Sequence, residues 1–271
     1  MTAPGPGPVL ALRGVSRSYG ALRALVDVDL EIRAGEVLAI VGDNGAGKST
    51  IVEIVAGVQP PDRGVLEVDG EPTVFGSPAQ ARAAGIATVF QDLALCETLD
   101  VVENLFLGNE VVRGGLLDEV EMERRSWELL SQLAARVPSV RMPVSALSGG
   151  QRQAVAVARS LLGEPRVVVL DEPTAALGIA QTAEVLTLVE RLRDRGHAVV
   201  LVSHNMADVH AVADRIAVLR LGRVNGVFDA AQTRYEDLLA AVTGARGGAD
   251  RFGRDRLDAS PAAPAQDGET R

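Results

Sequence analysis

The sequence predicts an α/β fold whose sheet is largely parallel, and three observations carry that expectation. Short apolar runs alternate with helix-patterned segments through the second half of the chain. One apolar run, Val37–Val41, feeds directly into a glycine-rich loop and then a helix; another, Val167–Leu170, ends in two adjacent carboxylates. A chain of 271 residues, 47% hydrophobic and 23% charged, can bury the core such a sheet needs.

Taken in order, residues 9–13, 26–32 and 36–41 read as strands, the last two separated by a turn at Ala34-Gly35, so the opening is β-rich. Residues 48–55 have the composition of a helix launched from the glycine loop, and 64–69 and 85–90 return to strand. From Asp100 to about Val137 the pattern turns helical, with Val120, Met122, Trp127, Leu130 and Leu133 spaced among the charges of residues 119–135 as a core-facing stripe. Helix 151–162, strand 166–170, helix 180–193, strand 198–202 and helix 206–213 then alternate as crossover connections between parallel strands require, and two short strands, 216–221 and 223–228, meet at Gly222. Residues 1–8, rich in Pro and Gly, and 244–271, with little to bury, are expected to be disordered. No internal repeat is visible.

Composition narrows the class. Apolar runs such as 167–170 and 198–202 are strand-sized, far below the roughly 20 residues of a membrane-spanning helix. The amino terminus lacks the basic start and apolar stretch of a secretory signal, and the single cysteine, Cys96, cannot form a disulfide within the chain, which together lead to the expectation of a reducing cytoplasm. A net charge of -9 leaves no overall positive field for nucleic acid, so none is expected as a partner. Among 27 basic residues, Lys48 is the only lysine. It falls inside a phosphate-binding pattern, where a compact ammonium on a flexible stem suits the chemistry better than a planar guanidinium.

That pattern is Gly42-Asp43-Asn44-Gly45-Ala46-Gly47-Lys48-Ser49, which fits G-x-x-x-x-G-K-S/T between a strand and a helix that continues through Thr50. Glycines let successive backbone N–H groups turn toward phosphate oxygens, and the helix start adds its positive dipole end. Lys48 would reach the β- and γ-phosphates, and the Ser49 hydroxyl would hold Mg²⁺. At the end of the strand over 167–170, Asp171 would support the metal and Glu172 would polarise an attacking water, although a plain turn cap before Pro173 is the competing reading of Asp171. Leu147-Ser148-Gly149-Gly150-Gln151 presents a hydroxyl and two glycines at a helix start, a second anion site without a lysine of its own, in which Ser148 can also serve as an ordinary cap.

This pentapeptide, together with the P-loop and the strand-borne Asp-Glu, resembles the ATP-binding-cassette ATPases over roughly the first 230 residues. The resemblance implies a P-loop fold with a mixed or parallel sheet core, an antiparallel β subdomain near the N-terminus and a helical signature subdomain. On these boundaries the ATPase domain spans residues 9–243, with the helical part at about 92–150. It implies further that Gln91 senses Mg²⁺ and the γ-phosphate, that His204 is a switch histidine at that phosphate, and that Tyr19 stacks on adenine. From the residues alone, Gln91 and His204 read as strand-end surface groups and Tyr19 as a packing residue. Family members work as head-to-tail dimers in which each ATP lies between one P-loop and the other subunit's Ser-Gly-Gly-Gln, so a second ATPase subunit and integral membrane permease subunits are implied partners.

One departure stands out: the family usually follows Glu-Pro-Thr with Ser-Ala-Leu-Asp, but here Ala175-Ala176-Leu177-Gly178 lacks the serine and the aspartate that communicate across the dimer. The run Glu172 to Gly178 is similar to ATPases of bacterial importers for simple sugars of the ribose, xylose and fructose kind. So are Gly42 to Gly47, Leu99 to Gly108 and Ser203-His204-Asn205-Met206. Many members carry two fused cassettes, whereas this chain has one, which implies a homodimer or pairing with another ATPase. An extracytoplasmic sugar-binding protein would be an indirect partner, the location the cytoplasmic face of a bacterial membrane, and the segment 92–108 the place where membrane subunits dock. A DNA-repair or chromosome-structure ATPase would need a long coiled coil between Gln91 and Ser148, and no sustained heptads occur there. A soluble translation or regulatory ATPase would usually join two cassettes by a charged linker, and a P-loop kinase would leave Leu147 to Gln151 without a purpose.

Overall fold

The computed structural model describes residues 7–245. The disorder expected of residues 1–8 and 244–271 falls outside the described residues, apart from 7, 8, 244 and 245.

The chain opens with β1 (Leu10–Tyr19) and β2 (Leu22–Ile32), an antiparallel pair joined through β4 (Arg63–Val68) to the short β5 (Glu71–Thr73) in the sheet order β2-β1-β4-β5. The sequence pattern ends the first strand at residue 13, but β1 runs on to Tyr19. Gly14, with φ +60°, sits in a bulge between Leu12 and Val15 that shifts the inward alternation by one and hides the continuation from a period-2 pattern.

The central sheet comprises β3 (Val37–Val41), β6 (Ile86–Val89), β9 (Val167–Asp171), β10 (Ala198–Val202), β11 (Arg215–Arg220) and β12 (Arg223–Asp229), in the order β12-β11-β3-β10-β9-β6. Its five strands from β11 to β6 are parallel and β12 is an antiparallel edge, so the sheet is mixed, as expected. Both faces are covered, which is why β3 and β10 are buried at every position and read as unbroken apolar runs. Successive side chains serve opposite layers: Val167 and Val169 join Leu38 and Ile40 in a core shared with the antiparallel sheet and α1 (Lys48–Val55), whereas Val168 and Leu170 face the helices.

Those helices are α3 (Val101–Phe106), α4 (Glu119–Gln132), α5 (Gly149–Leu161) and α6 (Ile179–Asp194). The helical block expected from Asp100 to about Val137 holds two separate helices, α3 and α4. It is broken by a hairpin, β7 (Val112–Arg113) and β8 (Leu116–Leu117), whose connection Gly114-Gly115 has φ +61° and +85°, values open to glycine in a tight two-residue turn. Met122, Leu130 and Leu133 are buried as expected, but Val120 and Trp127 stay exposed, at 81% and 40%, so the stripe on α4 is narrower than the spacing predicts. Two helices that the sequence pattern does not predict are α2 (Pro78–Ala83) and α8 (Tyr235–Thr243). The latter packs Leu238, Ala241 and Val242 with Val209 of α7 (Met206–Val212) beneath β11.

Candidate functional site

Four neighbouring parallel strands, β3, β10, β9 and β6, release their carboxyl ends at one edge of the sheet. Register makes this concrete: Ile40 pairs with Val202, Val202 with Asp171, and Leu170 with Val89. The glycine loop after β3, Ser203-His204 after β10, Asp171-Glu172 at the end of β9 and Gln91 just beyond β6 therefore share that edge, where open α/β sheets bind ligands.

The glycine loop is shaped by what surrounds it. A Cβ on Gly42 would strike the Leu219 carbonyl, and one on Gly47, whose φ is +107°, would come within 2.5 Å of the Ala24 carbonyl. Asp43, Asn44 and Gly45 stand exposed and Ala46 is buried, its N–H donating to the Asp43 carbonyl at 3.0 Å. Lys48 opens α1 and is only 8% exposed; its Nζ donates to the Gly42 carbonyl at 2.7 Å and the Asp43 carbonyl at 3.2 Å, so the ammonium sits inside the curl of the loop. Ser49 is exposed and Thr50 buried, which leaves the serine hydroxyl as the one available to a ligand.

Beside the loop, burial raises the Asp171 pKa, Glu172 and Glu53 push it further, and Lys48 works against them. Glu172 has φ +50°, an uncommon value for a side-chain-bearing residue, held by its N–H on the Val202 carbonyl at 2.9 Å and by the Ala175 N–H on its own carbonyl at 3.0 Å. Its Oε2 lies 2.7 Å from His204 Nδ1, with the carboxylate nearly covered and the imidazole 66% exposed. Two groups 32 residues apart in sequence thus meet at the sheet edge. Behind them, the Thr174 hydroxyl donates to buried Asp208 at 2.7 Å, tying the turn after Glu172 to α7.

Gln91 is exposed at the same edge. Tyr19 ends β1 and is 43% exposed; its hydroxyl donates to Glu53 of α1 at 3.3 Å and Arg17 lies 5.4 Å over the ring centroid, so a base could stack only where the guanidinium is absent. Ser148 to Gln151 is placed differently. The Ser148 Oγ accepts from the Gln151 N–H at 3.2 Å and Gln151 Oε1 accepts from the Ser148 N–H at 2.9 Å, a capping box. Gln151 Nε2 donates to the Arg136 carbonyl at 2.9 Å. A Cβ on Gly149 would fall 2.6 Å from the Leu177 side-chain end and one on Gly150 2.7 Å from the Glu184 carboxylate, so the start of α5 lies close to α6 and the turn before it. Among the described residues no hydrogen bond joins this turn to the glycine loop. Asn104, Arg159, Thr174 and Asp208 do not stand out in the sequence; a polar residue inside an apolar stretch, as Asn104 is within Val101 to Phe106, is the available signal.

A divalent cation fits this donor set. Asp171 carries a carboxylate that burial and two acidic neighbours destabilise, a charge that a cation would relieve, with the Ser49 hydroxyl as a second oxygen. Among the described residues no three His, Cys, Asp or Glu side chains converge as a metal cage. Nor, among the described residues, is any helix long and apolar enough to cross a membrane.

Residues 25–175 match the family described as ABC transporter. The chain is 43% identical to a fructose import ATP-binding protein of Rhizobium meliloti, over 88% of this chain and 95% of that protein. It is also 43% identical to a xylose/arabinose import ATP-binding protein of Sulfolobus acidocaldarius, over 87% and 94% respectively. Of solved structures, the dimeric post-hydrolysis state of an ATP-binding cassette bound to ADP and Pi superposes with a TM-score of 0.69 at 28% identity, over 82% of this chain and 98% of that one. With its glycine loop, carboxylate pair and histidine at one sheet edge, and with relatives of this kind matched along nearly their whole length, the chain belongs to the ABC transporter family, whose ATP-binding cassette it carries.

Proposed function

We propose that this chain is the ATP-hydrolysing subunit of an importer for a simple sugar, working as a dimer of cassettes at the cytoplasmic face of the membrane against permease subunits. The observation that carries the hydrolytic part is the pairing of Glu172 with His204 at the same sheet edge as the loop that encloses Lys48. On this reading Lys48 leaves the carbonyls of Gly42 and Asp43 for the β- and γ-phosphates, Gly42 to Gly47 and Thr50 surround those phosphates, and Tyr19 takes the base. Glu172 accepts a proton from water as it attacks the γ-phosphorus, and the bond to the bridging oxygen breaks with ADP leaving. On the same reading His204 orients the Glu172 carboxylate and faces the transferred phosphoryl group, and Gln91 approaches that group from the end of β6. Ser49, Gln91 and Asp171 would hold Mg²⁺, which when bound neutralises charge on the β- and γ-oxygens. Ser148 to Gln151 faces a second copy's nucleotide, which accounts for an anion site that makes no hydrogen bond to its own P-loop.

Sugar import is favoured by two sugar-importing relatives at 43% identity and by the Ala175 to Gly178 turn. The extracytoplasmic binding protein would act indirectly, through the permease. The test is Glu172→Gln in the full-length chain. Hydrolysis should fall roughly 10²- to 10⁴-fold, the range of a lost general base, and an ATP-bound dimer should accumulate in light scattering. Turnover within threefold of the parent would refute Glu172 as the base, and a mutant that stays monomeric at saturating ATP together with its membrane partners would refute the shared-nucleotide dimer.

A further inference from the structure

We propose that Arg159 is a positioning residue that ties Gln91 to the helix bearing Ser148, so that the two move as one. The inference rests on the reading of Gln91 as the glutamine that meets the metal and the γ-phosphate. Arg159 lies in the last turn of α5. Its Nη2 donates to the Leu93 carbonyl at 2.7 Å and its Nη1 to the Ala94 carbonyl at 2.9 Å, two and three residues past Gln91. The guanidinium is half-buried, and both hydrogen bonds go to backbone carbonyls, not to a carboxylate. A planar fork can meet two successive carbonyls at once, whereas a lysine offers one point of charge.

The rest of the segment is fastened to the same body. Asn104 of α3, fully buried, accepts from the Cys96 N–H at 2.7 Å and donates to the carbonyls of Cys96 at 2.9 Å, Leu99 at 3.2 Å and Asp100 at 2.9 Å. The N–H groups of Val144 and Ser145, just before the Ser148 turn, donate to Leu99 and Glu97 at 3.1 and 3.2 Å. Gln91 thus stands at a junction: the strand just before it, β6, belongs to the sheet, and the residues after it are held by α3 and α5. Because α5 is one uninterrupted helix with Ser148 as its N-cap, the serine and Arg159 stand near the two ends of a rod, about 16 Å apart along its axis. Docking of Ser148 on a second copy's nucleotide would draw on Gln91 in this copy's own site. This link runs through α5 and not through Ala175 to Gly178, the turn in which the usual serine and aspartate are missing.

The test combines exchange with kinetics. In the nucleotide-free full-length chain, Arg159→Lys should speed amide hydrogen exchange over residues 91–96 while leaving β9 protected as in the parent. In turnover it should lower kcat roughly tenfold and raise the Mg²⁺ concentration for half-maximal rate several-fold, with KM for ATP changed less than about twofold. Arg159→Lys should also add almost nothing to Gln91→Ala in the double variant. Parent-like exchange at 91–96, or effects that multiply fully in the double variant, would overturn the proposal. If Gln91→Ala alone leaves kcat and the Mg²⁺ midpoint unchanged, it is the reading of Gln91 that fails; fast exchange in Arg159→Lys would still establish the clamp, and parent-like exchange would remove both. Should Arg159→Lys not fold, Ala94→Pro serves instead. Ala94 is exposed and has φ +48°, which proline cannot adopt, so the acceptor carbonyl is displaced while the arginine is kept; fast exchange at 91–96 with the same kinetic losses would support the clamp, and parent-like exchange would overturn it.

Discussion

Replacing Lys48 by alanine separates what the ammonium does for the loop from what it does for the nucleotide. Without ligand it makes two charge-assisted hydrogen bonds to the loop's own carbonyls, of which Gly42 is buried and Asp43 exposed. Only the buried carbonyl loses a partner that water cannot readily replace, so the stability loss should be about 1–2 kcal/mol. For a domain of this size that is a fall in Tm of roughly 2–8 °C. Binding should suffer more, because the ammonium would exchange carbonyl oxygens for phosphate oxygens of full negative charge; a loss of about 3 kcal/mol or more weakens ATP affinity over a hundredfold. Lys48→Arg should fare little better, since a site 8% exposed and lined by backbone cannot take the larger planar group without displacing the loop. Differential scanning fluorimetry, a fluorescent-nucleotide titration and a phosphate-release assay read the three quantities. A folded Lys48→Ala chain hydrolysing ATP within tenfold of the parent would refute the placement of the phosphates against this residue.

Two other perturbations draw on the same geometry. Asp171→Asn should abolish Mg²⁺-dependent turnover yet raise the stability of the ligand-free chain at neutral pH. With its folded pKa above the ordinary aspartate value of 3.8, the Asp171 carboxyl favours the fold below that value and loses this contribution as pH rises through the folded pKa. The Tm difference between the asparagine variant and the parent should therefore grow from acid to neutral pH and vanish or reverse on adding Mg²⁺ and ATP; a Tm for the variant below the parent's at pH 7 without ligand would contradict the electrostatic account. Asn104→Ala leaves the Cys96 N–H without its acceptor, while the carbonyls of Cys96, Leu99 and Asp100 keep the N–H groups of Leu99, Val144 and residue 104, and should cost about 1–3 kcal/mol, seen as a lower denaturant midpoint at unchanged m. An unshifted midpoint would show that water replaces those bonds.

Local signals are legible in the sequence. The glycine loop, the helix from Lys48 to Val55 and the apolar strand running into Asp171-Glu172 each depend on residues within a few positions of one another, and the observed α1 has the expected bounds. Such signals fail where a single residue changes the period, as Gly14 does in β1, or where a glycine pair turns the chain inside an apparently helical stretch, as at Gly114-Gly115. Burial on α4 falls short of the expected stripe because spacing marks a face but not how much of it the neighbouring helices cover.

What the sequence alone determined was an inventory: a phosphate loop, a carboxylate pair, a capped glycine turn, and residues at strand ends whose roles rested on resemblance. The strand order β3-β10-β9-β6 decided which of these meet. Glu172 and His204 touch because β9 and β10 are parallel neighbours, and Arg159 reaches Leu93 and Ala94 because α5 packs over the exit of β6. Such contacts span tens of residues and are settled by burying both faces of one sheet, a global requirement that no short stretch of sequence encodes.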